Sequence, residues 1–141
     1  MLDPRQRRLG TVLRDVGISF KKEELPLQEV YLLNDPAKLG YLFCWKNGPY
    51  SFNAREDLLA LKESSLEEIS NSSLSESYRQ LISPVEHFLR ECTNITLAAK
   101  VAFLHKHRGK EDVYRRICVE NDITEAELDE TLDLLRKYTV V

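Results

Sequence analysis

The sequence predicts a mainly α (α+β) fold, six or seven helices in a compact bundle with one short β element. Three observations predict it. Apolar residues recur at helical spacing in seven successive segments. Helix-capping residues stand ahead of several of these segments. Only residues 41–46 alternate as a strand does. The chain of 141 residues is the length of one domain, so 1–141 is read as a single unit. A chain of this size buries about two-thirds of its unfolded surface and needs no metal or disulfide to fold.

The elements follow in order. Asp3-Pro4 offers an N-cap acceptor and a proline at the first helical position. Leu9, Val12, Leu13 and Val16 then share one face, and Gly17 suits the left-handed residue that ends a helix. Lys21 to Glu24 read as a polar linker. Pro26 opens a second helix with Leu27, Val30, Tyr31 and Leu32 or Leu33 inward, and Asp35-Pro36 ends it. Tyr41 to Lys46 is the strand, with Tyr41, Phe43 and Trp45 on one side and Leu42 and Cys44 on the other. Asn47-Gly48-Pro49 is a turn signal.

Asn53 with Glu56 has the form of a capping box for a third helix, whose apolar members are Leu58, Leu59 and Leu61. Ser65 to Ser77 is serine-rich and reads as the most flexible segment, although Ser65 and Glu68 could cap one turn. A fourth helix covers Glu76 to Cys92, with Tyr78, Leu81, Ile82, Val85, Phe88 and Leu89 at helical spacing. Pro84 predicts a kink or a division there. A fifth helix runs from Ile95 to His107 and ends at Gly109. A sixth covers Glu111 to Glu120, with Val113, Ile117 and Cys118 inward. Thr124 with Glu127 caps the last, whose apolar positions are Leu128, Leu132, Leu135 and Tyr138.

Charge is distributed in blocks behind a net charge of −3. Residues 1–22 hold six basic and two acidic side chains, and residues 92–116 the same numbers, whereas 117–141 sum to −5. A mildly acidic total argues against broad nucleic-acid coating. The two basic segments either form one local patch or pair with the acidic segments around them. Met1 to Arg5 show no apolar signal core and no apolar run reaches membrane-spanning length, so a cytoplasmic address is expected. Cys44, Cys92 and Cys118 are odd in number and widely spaced, and they read as reduced, structural residues.

No constellation carries catalysis. His105 and His107 point about 200° apart on a helix and cannot share a metal ion there. Glu67-Glu68 and Asp129-Glu130 are adjacent in sequence, which does not make them converge on a cleft. Phosphate-loop, nucleophile-elbow and zinc-protease patterns are all missing. No catalytic residue, metal or cofactor is therefore expected. Helix, break and helix at 111–138 outline a helix-turn-helix. Its second helix carries Glu125, Glu127, Asp129, Glu130 and Asp133, a poor surface to present to phosphates.

One stretch brings a family into view. It reads Leu27-Gln28, Tyr31-Leu32-Leu33, Phe43-x-Trp45-x-x-Gly48-Pro49-Tyr50-Ser51 and Asp57-Leu58-x-x-Leu61. This resembles the YwgA-like and Panacea-type antitoxin group of small bacterial and prophage proteins. Asp112-Val113 and Ile123 to Leu128 are similar to the paired helices that end those proteins. Glu29 stands where the group has lysine, and the serine-rich stretch replaces its β-wing. The resemblance implies an antitoxin or adaptor and admits a winged-helix-like topology. The residues themselves make Gly48, Pro49, Tyr50 and Ser51 a strand-to-helix corner.

Two functions follow as expectations. The first is a non-catalytic interaction protein that binds and masks a partner protein, with Tyr41, Trp45, Tyr50 and Phe52 as anchors. The alternative is a nucleic-acid-binding module using Arg5, Arg7, Arg8, Arg14, Lys100, Lys106, Arg108, Arg115 and Arg116.

Overall fold

The computed structural model describes residues 1–107 and 111–141, without the side chains of 107 and 111–115. The expected end of the fifth helix at Gly109 and the inward side chain of Val113 lie outside the described residues. Among these residues the fold is mainly helical. Seven helices are accompanied by one small antiparallel hairpin: α1 (Pro4–Val16), α2 (Leu27–Asn34), β1 (Cys44–Trp45), β2 (Pro49–Tyr50), α3 (Phe52–Glu63), α4 (Glu76–Glu91), α5 (Ile95–His107), α6 (Glu111–Glu120) and α7 (Glu125–Lys137).

α1 begins as its sequence prescribes. The Asp3 carboxylate accepts from the Gln6 amide while the Gln6 side chain accepts from the Asp3 amide, a reciprocal cap with Pro4 at the first position. Gly17 closes the helix at φ +80°. The apolar stripe Leu9, Val12 and Leu13 is fully buried. α1 packs on α3, while α2 and α5 form the centre, contacting each other and both touching β2. α4 covers α2, and α6 and α7 cover α5. One continuous core results, running from Leu9 through Val30, Leu33, Leu58 and Phe88 to Leu135.

Several expectations are corrected. The strand is two residues long, not six. Tyr41 spends both backbone groups on the Asn34 side chain, donating its N–H at 3.0 Å and accepting from Nδ2 at 2.8 Å. Its would-be partner segment ends where Ser51 starts a helix. The register pairs Cys44 with Tyr50 and Trp45 with Pro49. A ladder this short is less sheet than a wing requires. The pleat alternation does hold: Tyr41 is buried and Phe43 half-buried, with Leu42 and Cys44 outside. Cys44 is thus an exposed thiol, not a core residue, because nothing covers that side of the pleat.

α3 starts at Phe52, ahead of Asn53, because Ser51 Oγ accepts from the Ala54 amide at 3.2 Å. α4 is one continuous helix through Pro84, so the expected division does not occur. Ile82, Val85 and Phe88 anchor it on both sides of the proline, while Leu81 faces outward. The serine-rich segment is fastened at its start. Leu66–Glu68 form a single 3-10 turn capped by Ser65, and Ile69 is buried. The Leu2 amide donates to Glu68 at 3.0 Å, and Arg14 donates to the carbonyls of Ile69 and Ser72.

Candidate functional site

The corner between α2 and α3 concentrates the aromatic residues that the sequence singles out. Asn47 takes a left-handed φ of +56° and Gly48 a φ of +132°. The Lys46 amide donates to the Gly48 carbonyl at 2.8 Å and closes the loop. Pro49 then fixes the next φ and Ser51 caps α3, so the backbone turns from hairpin to helix within three residues.

A buried carboxylate secures this corner from below. Asp57, only 2 % exposed, lies in α3. It accepts from Arg5 Nε at 2.7 Å, Arg5 Nη2 at 3.3 Å, Gln6 Nε2 at 3.1 Å and Tyr41 Oη at 2.7 Å. One side chain thereby joins the first turn of α1, the segment leading into the hairpin, and α3. Burial and the Asp57 carboxylate push the Tyr41 phenol up, which keeps it a neutral donor. The Arg5 guanidinium also lies 5.6 Å from the Tyr41 ring centre.

Of the four expected anchors, Tyr41 is therefore interior, with its hydroxyl committed to Asp57. Tyr50 is half-buried, and Lys46 Nζ sits 4.9 Å from its ring centre. Trp45 and Phe52 are presented to the outside, at 40 % and 62 % exposure. Trp45 rests one face on Phe103, at 5.6 Å between ring centres. Phe103 continues to Tyr31 at 5.7 Å, and Tyr31 meets Phe43 edge-on at 5.1 Å. The Trp45 ring is thus backed by a file of three others. Leu42, on the outer side of the pleat, adds a side chain that is 89 % exposed.

The basic residues are placed differently. Arg5 is bound to Asp57, and Arg7 donates from Nε and Nη2 to the Leu2 carbonyl at 3.1 and 3.0 Å. Arg8 lies over the Tyr78 ring, and Arg14 holds the serine-rich segment and Asp15. Lys100 donates to Asn121 at 3.1 Å and Lys106 pairs with Asp35. Arg116 is exposed, and Arg108 and the Arg115 side chain lie outside the described residues. α1 packs on α3 whereas α5 packs on α2 and α7, so the two basic segments belong to different helix pairs. Among the described residues no group of three His, Cys, Asp or Glu is placed to hold a metal ion. No described helix is long and apolar enough to cross a membrane.

No protein-family model, curated protein or solved structure matches the chain.

Proposed function

We propose that this chain is a non-catalytic interaction module of the antitoxin or adaptor kind, which binds a partner protein through the 42–52 corner and masks it. One observation carries the reading: Trp45 and Phe52 stand exposed on a corner whose backbone is fixed by Gly48, Pro49, Ser51 and the Asp57 cluster. Large aromatic groups held in one geometry lose little entropy when a partner covers them, and interface energy concentrates in such residues. The occupation of Arg5, Arg7 and Arg14 by internal acceptors leaves fewer cations for phosphate on α1.

The test is capture of the partner by tagged wild-type, Trp45→Ala and Phe52→Ala chains in the native host, with high-salt and nuclease washes. A stoichiometric protein retained by the wild type through both washes, and lost from the folded variants, supports the reading. Retention by both folded variants refutes it. Material released by salt or nuclease moves the function to the nucleic-acid alternative.

A further inference from the structure

A cavity of about 500 Å³ is walled by α2, α4, α5 and the residues after α7. Its size falls in the range of small-molecule sites, roughly 300–1,000 Å³. The wall is mostly apolar, with Leu32, Val85 and Ala102 on three different helices and Val140 closing the end. The polar side chains at the cavity are Tyr31, Asp35, His105, Lys106, Tyr138 and Thr139. Asp35 and Lys106 form an ion pair with each other at the lip, so the mouth carries no net charge from them. The Tyr138 hydroxyl donates to Glu91 and the Thr139 hydroxyl to the Tyr138 carbonyl, and Tyr31 brings a further donor. Its ring is fixed between Phe43 and Phe103, and its hydroxyl has no hydrogen-bond partner among the described residues. Every fully buried side-chain nitrogen or oxygen among those residues has a partner, so the Tyr31 hydroxyl opens onto free space. Burial, with Asp35 nearby, pushes this phenol up to about 12, and at neutral pH it can only be protonated.

We infer that the cavity between α2, α4 and α5 is a binding site for a small, uncharged, ring-sized organic molecule bearing one hydrogen-bond acceptor, which Tyr31 receives. The apolar wall selects against charge because an ion would lose its hydration there. The Tyr31 hydroxyl distinguishes an acceptor-bearing molecule from a hydrocarbon of the same shape. This inference goes beyond the docking reading and does not depend on it, since it is measured on the isolated chain.

Acetophenone is the probe, with ethylbenzene as its counterpart lacking the acceptor and benzoate as the charged analogue. Calorimetry and backbone amide shifts follow binding to wild-type, Tyr31→Phe and Ala102→Leu chains. Acetophenone is expected to bind the wild type saturably below about 10 mM, with shifts at residues 31, 85 and 102. Tyr31→Phe should weaken acetophenone about fivefold and leave ethylbenzene unchanged, which is the loss of one neutral hydrogen bond. Ala102→Leu narrows the space and should weaken both. Benzoate should bind more weakly than acetophenone. Absence of saturable acetophenone binding overturns the inference, as does equal affinity in the wild type and Tyr31→Phe. Benzoate binding as tightly as acetophenone overturns the assignment of an uncharged ligand. Should Ala102→Leu not fold, the Tyr31→Phe comparison decides alone.

Discussion

At the scale of single residues, Asp57 does the most for its size. Removing it with Asp57→Ala leaves the Tyr41 hydroxyl and the Gln6 amide without their acceptor. An abandoned buried donor costs about 1–3 kcal/mol, so the variant should lose roughly 2–3 kcal/mol in chemical denaturation. The reciprocal Arg5→Ala should cost less than that, because Asp57 keeps the Tyr41 and Gln6 donors, but more than loss of a surface pair, because it leaves a buried carboxylate without its cation. Equal losses from both would contradict the assignment of Asp57 as the shared acceptor. Four other residues take left-handed backbone at helix ends. After α1, α2, α6 and α7 the residue with positive φ is Gly17, Lys38, Asp122 and Thr139, and each is followed by an apolar residue whose amide reaches back into the helix. Thr139 is the costliest, since a β-branched side chain crowds its own carbonyl at a φ of +54°. Thr139→Gly should therefore raise stability by up to about 1 kcal/mol, measured as a higher midpoint in urea. Sequence reading finds Gly17 because glycine advertises the conformation. It misses Lys38, Asp122 and Thr139, where tertiary contacts hold an ordinary residue in it. It misses Asp57 for a related reason: an acid in a helical segment reads as solvent-facing, and its partners are 16 to 52 positions away in the chain.

At the scale of elements, helices were legible where their caps and stripes are local. Asp3, Ser65, Thr124 and the apolar face of α1 all act where the sequence places them. The first strand was legible in its alternation and not in its length, since the Asn34 side chain takes the backbone groups of Tyr41, and its partner Pro49–Tyr50 was read only as a corner. The polar linker after α1 also has a task that composition hides. Lys21 donates to the carbonyls of Leu61 and Lys62 at 2.9 and 3.0 Å, a cation at the C-terminal end of α3. The corner itself depends on Gly48. A side chain at φ +132° is strained whatever space surrounds it. Gly48→Ala should cost more than about 1 kcal/mol and weaken partner capture along with it, whereas Gly17→Ala should lower stability alone. Thermal melts beside the capture assay separate the two.

At the scale of the whole molecule, three tyrosines bind the helices together as neutral phenols. Tyr31, Tyr41 and Tyr78 are all pushed above the ordinary value of 10.0, with burial the leading cause. A phenol that ionises later in the folded state than in the unfolded one contributes fully below pH 10. That contribution drains away as pH rises above 10. The fold should thus lose stability steeply in alkali, and Tyr31→Phe should flatten that loss between pH 10 and about 12. A profile identical to the wild type would contradict the burial of Tyr31. On this framework the functional claim is one of presentation: a fixed interior holds Trp45 and Phe52 outward for a partner. Amide hydrogen exchange, on the chain alone and bound to the partner it captures, tests this most directly. New protection should centre on residues 42–52 and the first turn of α3. Protection confined to α7 or to the basic face of α1, with 42–52 exchanging as in the free chain, would contradict it.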